Sequence, residues 1–536
     1  MQEKKEKKTH SIVAKGLSLS VLTLFSRILG LIRESTKAKF LGTSALSDAF
    51  GIAFQVPNFF RRLFAENSVS VAFIPTFKTY LEKADSPEGK KETQDFVNAT
   101  FTLVTFLTVI FVSLGMIFTP LIIRIFFKET DSLAFSEAVV LTRIMFPYLV
   151  VISIAALFQG ILNALKIFSP SGFTPILFNA IVVAVTYILA PYTKNPARAM
   201  AIGVITGGTV QAAFQLPFVL KNDWHVAFTT IKKAFTNPGT RTVLKLIGPT
   251  IIGMSAYQLN DLVSSQLATH AGEGVYSSIQ YSLRLQELIL GICAVTIGTV
   301  ILPDLTGFAK RNEWEKFNGM LSQSIKIMAL IAIPITFYSL IMGENLIALV
   351  FQSGKFNGDS IKMTMEVFRY HIAGLFFIAV NRIIAPAFYA QQDTKSPTIA
   401  GLINFAINIA LAVILVHPMK GAGIALALSI ASTVNTILLF AFLKKTPTID
   451  VGSVVRQSAL YALKMVVFSI LASAPVYLLK DKIVSAFSGY NRFISQGVPV
   501  ALTALMFAFV GVGLLFLTRD PMTKRFIKGK KTQEEA

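Results

Sequence analysis

The 536-residue sequence predicts an all-α integral membrane protein with about 14 transmembrane helices. Hydrophobic residues make up 53% of the chain and charged residues only 15%, against about 25% in soluble domains. Apolar runs of about 18 or more residues, each able to cross a hydrocarbon layer of roughly 30 Å, recur from end to end. No segment alternates as a barrel strand does, so helices must pair the backbone groups that lie in lipid.

Each apolar run is separated from the next by a short polar segment and predicts one helix. The first, second and eighth runs also carry arginine, which makes them unusual among spanning segments. The predicted helices are centred near Thr23, Val56, Thr108, Ile152, Val182, Thr209, Gly253, Gly291, Ile333, Phe376, Ile407, Ala431, Phe468 and Met506.

Basic residues predict the orientation. If the amino terminus is cytoplasmic, that side collects the basic residues of segments 4–15, 90–91, 232–233, 310–311, 444–445 and 524–531. Both termini are therefore expected in the cytoplasm, which an even helix count also requires. This topology, with attraction to anionic lipid, explains much of the net charge of +21, so no nucleic-acid partner is predicted. The first helix has no small-residue cleavage site and is expected to be retained as a span.

Few residues in the chain suit catalysis or metal binding. The single Cys293 cannot form an intramolecular disulfide, and the five histidines have no metal-ligand spacing. The chain also has no G-x-x-x-x-G-K-[ST] phosphate loop. We therefore expect a transporter and not an enzyme, with no cofactor and no direct ATP hydrolysis. A coupling ion or the membrane potential is left open as the energy source.

Two landmarks recur at almost the same spacing. The segment around Pro75 returns around Pro303, 228 residues later, and Ser169-Pro170 returns as Ser396-Pro397 after 227 residues. The shared offset predicts two six-helix lobes around a central cavity, residues 1–225 and 226–450, followed by two helices and a basic tail in 451–536. Chance similarity between amphipathic loops is the alternative.

Four arginines lie in the first two predicted helices, where each charge costs roughly 2.5 to 3.5 kcal/mol at the helix centre. They are Arg27, Arg33, Arg61 and Arg62. Arg62 and Glu66 are four residues apart and are expected to pair on one helix face. Arg61 is rotated by about 100° from Arg62 and is the better candidate for a ligand site. Pro57 is expected to kink this helix.

A second-lobe arginine, Arg284, lies in the eighth helix with Glu287 one turn further on. Guanidinium groups in a low-dielectric cavity suit phosphate or diphosphate, whose oxygens accept forked hydrogen bonds. Asp48 and Glu66 would offset surplus charge or act as a lock that competes with the ligand. The alternative is that each arginine is bridged to a carboxylate or extends to the membrane interface.

Long segments of the sequence resemble the MurJ (MviN) lipid II flippase family of bacteria. The resemblance is carried by SRILGLIRES, SDAFGIAFQVPNFFRRLFAENSVSVAFIPTF, ILNALKIFSPSGFTPILFN, YSLRLQELILGICAVTIGTVILP and APAFYAQQDTKSP, and it covers nearly the whole chain. That family belongs to a superfamily of multidrug, oligosaccharidyl-lipid and polysaccharide exporters with two six-helix lobes. Members commonly have a proline after the Arg284 motif where this chain has Ile289, which puts the local bend of that helix in doubt.

The resemblance implies transport of lipid II, the undecaprenyl-diphosphate-linked disaccharide pentapeptide, across the bacterial cytoplasmic (inner) membrane. It implies substrate-binding roles for Arg27, Arg33, Arg61 and Arg284, and supporting or gating roles for Asp48 and Glu66. It also implies that the last two helices receive the lipid tail. Membrane lipids are expected partners, and cell-wall synthesis proteins are a further class. Two alternatives are a polysaccharide-repeat or drug exporter of the same superfamily and a non-transporting cell-wall scaffold.

Overall fold

The computed structural model describes residues 2–63, 69–129, 132–446 and 448–522. These residues are almost entirely helical, and the one β-bridge among them joins Ser353 and Phe356. The predicted all-α membrane fold is confirmed. The chain forms two compact units, Met1–Ser277 and Ser278–Ala536, which are described separately.

Unit 1 contains eleven α-helices in its described part, besides the short π-helix Val69–Phe73. They are α1 (Gln2–Leu41), α2 (Ala45–Arg61), α3 (Ile74–Leu81), α4 (Pro87–Ile117), α5 (Thr119–Arg124), α6 (Leu133–Met145), α7 (Tyr148–Ala164), α8 (Ser169–Leu189), α9 (Pro196–Lys221), α10 (Ile231–Thr236) and α11 (Pro238–Ala271). Within this unit α8 packs on α1 and α9, and α2 packs on α6.

The described residues of unit 2 form seven helices, of which the first begins at the end of unit 1. They are α12 (Val275–Lys310), α13 (Trp314–Phe351), α14 (Gly358–Ala373), α15 (Leu375–Tyr389), α16 (Lys395–Leu443), α17 (Val451–Ala486) and α18 (Arg492–Leu517). In this unit α13 packs against α14, α15, α17 and α18.

Every one of the 14 predicted centres falls within a helix. Among the described residues, eight helical segments are long and apolar enough to cross a membrane, or nine when α14 and α15 form one bent span. The 49-residue α16 carries two predicted centres because Lys420 breaks it with φ 48° and ψ −128°. These findings agree with 14 spans, but the number itself stays a prediction.

The first compact unit does not end where the predicted first lobe ends, at residue 225. Unit 1 continues through α10 and α11 to Ser277. Ser169-Pro170 and Ser396-Pro397 lie in the first turns of α8 and α16. The repeat itself remains a prediction, since compactness and internal repetition are different properties.

A buried ion pair joins α6 to α9 in unit 1. Arg198 donates from Nε and Nη2 to the two carboxylate oxygens of Glu137, at 3.0 and 2.8 Å. The Glu137 side chain is only 4% exposed. Charge-assisted, forked pairs of this kind are among the stronger side-chain interactions.

Glu137→Gln is expected to destabilise unit 1 by about 1.5–3 kcal/mol, because one charged acceptor of a buried fork is lost. The matched control is Asp223→Asn, which breaks an exposed pair to Lys90 at 3.9 Å. That change is expected to cost less than about 0.5 kcal/mol. Thermal unfolding of both variants in detergent checks the difference, and equal midpoints would show that the buried pair contributes nothing.

In unit 2 the span formed by α14 and α15 is bent by 43° at Gly374. A break of this kind frees backbone carbonyls, which must find other donors inside a membrane. Three successive carbonyls do so: those of Tyr370, His371 and Ile372 accept from Ser429 Oγ (2.6 Å), Gln286 Nε2 and Thr336 Oγ1 (3.2 Å). Side chains from α16, α12 and α13 thus hold the bend from three sides.

Gly374 is required by close approach. A Cβ at this position would lie 2.3 Å from Ser429 Oγ and 2.9 Å from Ser429 Cα. Since backbone must move to relieve that overlap, Gly374→Ala is expected to cost about 1–3 kcal/mol or more. Gly401→Ala in α16 meets no atom within 4 Å and serves as control. Thermal unfolding should separate the two variants; indistinguishable midpoints would refute the close packing.

Candidate functional site

Arg33 is enclosed at the side of α1. Its guanidinium lies 5.6 Å from the ring centre of Phe54 in α2 and 5.8 Å from that of Phe178 in α8. Its Nη2 donates to Glu34 Oε1 at 2.8 Å, and the two side chains are 15% and 17% exposed. Aromatic faces and a carboxylate therefore stabilise this cation within the helix packing. An anionic ligand of Arg33 would have to exchange with Glu34.

Arg27 and Arg61 are the other two predicted ligand residues of unit 1. Arg27 is exposed on α1, next to Ser26, whose carbonyl accepts from Asn179 Nδ2 of α8 at 3.4 Å. Arg61 is the last residue of α2, and its Nε donates to Asn58 Oδ1 at 2.8 Å. Asn58 lies one turn earlier and bonds the carbonyl of Phe54, so it positions the Arg61 side chain along its own helix.

Arg62 contacts α11. Its Nη1 donates to Gln258 Oε1 at 3.3 Å and lies 3.9 Å from Asp261 Oδ2. The predicted pair with Glu66 cannot be followed, because Glu66 lies outside the described residues. Asp261 is thus a carboxylate near Arg62 that sequence spacing did not indicate, since it is almost 200 residues away along the chain.

Asp48 binds the first turn of α12. Its Oδ2 accepts from the Gly274 amide at 2.7 Å and its Oδ1 from the Ser277 amide at 2.9 Å, all within unit 1. In return, Glu273 Oε1 accepts from the Ala45 amide in the first turn of α2 at 2.9 Å. Each helix start therefore receives a carboxylate from the other, which favours both through hydrogen bonding and the helix dipole.

In unit 2, Arg284 Nη1 donates to Glu287 Oε2 at 2.9 Å on the more exposed side of α12. Ser282 and Gln286 lie about 200° around the helix from Arg284, and both are buried. Ser282 Oγ lies 2.7 Å from His371 Nδ1, while Gln286 donates to the carbonyl of His371. These contacts to α14 fix the rotation of α12 and hence the direction of Arg284.

Lys37 is a buried cation that the sequence analysis did not single out. It lies one turn after Arg33 on the same side of α1 and is 5% exposed. The sequence signal for Lys37 was its four-residue spacing from Arg33. Lys39, by contrast, lies about 200° around the helix from Lys37 and is exposed. Burial of this ammonium could not be predicted without knowing which face of α1 is covered.

The described residues include no group of three or more His, Cys, Asp or Glu side chains that could hold a metal ion. The predicted lack of a cofactor is not tested by this observation. Nor do the contacts within each unit decide whether Arg27, Arg33, Arg61 and Arg284 share one cavity, which remains a prediction.

Solved structures with a similar fold indicate the class of membrane protein to which this fold belongs. The fold is similar to an inward-facing multidrug transporter of the MATE family in the MOP superfamily, with TM-score 0.64, 14% identity and coverage of 80% and 96% of the two chains. A greater similarity is found to a structure titled lipid II flippase MurJ, inward closed conformation. Its TM-score is 0.76, its identity 26%, and the match covers 94% of this chain and 99% of the other. The chain is thus a multi-pass membrane protein with the fold of this transporter class.

Sequence comparison defines the family. The model of the family described as lipid II flippase MurJ matches residues 37–495. A probable lipid II flippase MurJ from Treponema pallidum (strain Nichols) is 44% identical over 97% of this chain and 99% of its own length. The lipid II flippase MurJ of Burkholderia cenocepacia is 32% identical, with coverage of 80% and 83%. This chain belongs to the MurJ lipid II flippase family.

Proposed function

We propose that this protein carries lipid II from the cytoplasmic to the outer leaflet of a bacterial inner membrane by alternating access, for peptidoglycan synthesis. The observation that carries the proposal is the 44% identity to a probable lipid II flippase over almost the full length of both chains. Both termini are proposed to be cytoplasmic, in accord with the distribution of basic residues.

The proposed ligand of Arg27, Arg33, Arg61 and Arg284 is the diphosphate of lipid II. Arg33 and Arg284 each hold a neighbouring carboxylate at 2.8 and 2.9 Å. Those carboxylates lower the cost of keeping a guanidinium in the membrane before substrate arrives. The diphosphate offers more oxygens and more charge than one carboxylate, so it would replace Glu34 and Glu287 as the acceptor.

Asp48 is proposed to act as a gate residue. Its carboxylate is engaged by two amides at the start of α12, so its charge is directed to that helix. Opening of this contact would require both amides to find water or another acceptor. Substrate drives such a change only to the extent that it binds the two states with different affinity. The membrane potential, at about 2.3 kcal/mol per elementary charge per 100 mV, or a coupled ion would supply further bias.

The test is rescue of a bacterial strain depleted of its own lipid II flippase. Expression of this protein should restore growth and delivery of labelled lipid II to the outer face of the membrane. A polysaccharide or drug exporter, or a scaffold, would leave lipid II inside even when well expressed. That result, with the protein shown to be in the membrane, would contradict the proposal.

A further inference from the structure

The segment between α9 and α11 is held along α4 by a ladder of hydrogen bonds. We call residues 225–236 the strap. Amides of its residues 225, 227 and 229 donate to α4 side-chain oxygens of Gln94, Asn98 and Thr102, at 3.2, 3.0 and 2.9 Å. Gln94 Nε2 also donates to the carbonyl of His225 at 2.5 Å.

The hydrogen-bond ladder can form because the repeat distance of the extended strap matches that of the α4 helix. Alternate residues of an extended chain are about 6.6 Å apart, and residues four apart in an α-helix are about 6.0 Å apart. Three successive rungs can therefore form without distortion of either segment. Next to the ladder, Trp224 is buried and packs edge-on against Phe77 at 5.4 Å. The strap is consequently a fixed part of unit 1.

The outer surface of the strap is apolar and basic. Phe228, Ile231 and Phe235 are 70%, 47% and 37% exposed, whereas Ala234 on the inner side is 1% exposed. One edge of the Phe228 and Phe235 rings contacts Phe101 and Phe106 of α4, and the rest of each ring is accessible. Lys232 and Lys233 are exposed between these apolar residues. Residues 224–260 include four Lys or Arg and no Asp or Glu. The surface thus combines apolar side chains with local positive charge that no acidic residue of the same stretch offsets.

This combination is typical of a segment that lies in the interface of a membrane containing anionic lipid. The two adjacent lysines are flanked by Ile231 and Phe235, shortly after the candidate membrane span α9, so headgroup phosphates and acyl chains would both be within reach of this surface. The distribution of basic residues predicts that the strap is on the cytoplasmic side. Charge complementarity therefore favours one occupant, the anionic leaflet surface.

We infer that the strap is an anionic-phospholipid binding surface. Phe228, Ile231 and Phe235 enter the boundary between headgroups and acyl chains, and Lys232 and Lys233 bind headgroup phosphates. The ladder to α4 holds these side chains at a constant depth and thereby gathers anionic lipid beside unit 1. This binding is independent of lipid II transport.

Tryptophan quenching by brominated lipid tests the inference in the full-length protein. The sequence has two tryptophans, so Trp224→Phe and Trp314→Phe with Phe228→Trp place a single probe on the strap. The protein is reconstituted in bilayers of phosphatidylcholine and phosphatidylglycerol in which one or the other is brominated. At equal mole fraction, brominated phosphatidylglycerol should quench about two- to fivefold more strongly.

Lys232→Gln with Lys233→Gln, the strap variant, should remove this preference. Lys444→Gln with Lys445→Gln, another predicted cytoplasmic pair, should retain it.

Thermal unfolding gives a second measurement, in protein with its natural tryptophans. Phosphatidylglycerol should raise the unfolding temperature more than phosphatidylcholine does, and the strap variant should lose that gain. Equal quenching by the two lipids, no quenching by either, or an unaltered preference in the strap variant would overturn the inference. Lipid II delivery is measured separately, so failure here does not bear on transport.

Discussion

Arg27→Ala, Arg61→Ala and Arg284→Ala are each expected to abolish delivery of lipid II to the outer leaflet while the protein stays in the membrane. Loss of one charge-assisted contact to the diphosphate should weaken binding by roughly 10- to 100-fold. Lysine at the same positions should restore only part of the affinity, because an ammonium cannot form the forked bond of a guanidinium.

The matched control is Arg124→Ala. Arg124 is exposed at the last residue of α5, where a long side chain can reach the membrane interface. This variant should bind and deliver lipid II normally. Binding of a labelled lipid diphosphate to each purified variant, compared with membrane expression, separates lost recognition from lost folding. Normal delivery by the well-expressed triple variant would refute the site.

Asp48→Ala is expected to stop transport by a different route. It leaves the Gly274 and Ser277 amides at the start of α12 without their carboxylate and removes an anion from the helix amino terminus. Asp48→Asn retains one acceptor oxygen and should show an intermediate effect. The start of α12 should become more accessible in both variants.

Accessibility can be measured at Ser277→Cys in a Cys293→Ser background, since Cys293 is the only cysteine in the sequence. Thiol modification should be several-fold faster when Asp48 is alanine. Glu273→Ala is the control, because it removes the reciprocal bond at an exposed position and should change the rate much less. Unaltered modification together with normal delivery in Asp48→Ala would exclude a gating role.

The fold class and the helix positions could be predicted because they depend on local hydropathy, and all 14 predicted centres lie in helices. Side-chain partners depend on which helices pack together. The enclosure of Arg33 by Phe54 and Phe178 joins three helices, and no spacing within α1 encodes it. The Arg284–Glu287 contact, by contrast, is a one-turn pair and was visible in the sequence.

The contacts that hold the bend at Gly374 likewise could not be predicted from local sequence. The residues that hold it, Gln286, Thr336 and Ser429, come from three other helices, although each looks like an ordinary polar residue in its own apolar run. For Asp48 the sequence predicts a charge-offsetting or locking role, which stays a prediction. Its acceptance of the α12 amides depends on a contact over more than 220 residues of sequence.

Reconstitution of the purified protein in liposomes tests lipid II transport most directly. Fluorescent lipid II is placed in both leaflets, and the fraction accessible to a membrane-impermeant reductant is followed over time. Wild-type protein should make almost all of the label accessible, and the triple arginine variant should leave about half protected, as in protein-free liposomes. Transport of lipid II by this chain would be contradicted if the label were equally protected in liposomes with wild-type protein and in empty liposomes. That result would have to hold both with and without an imposed membrane potential or ion gradient.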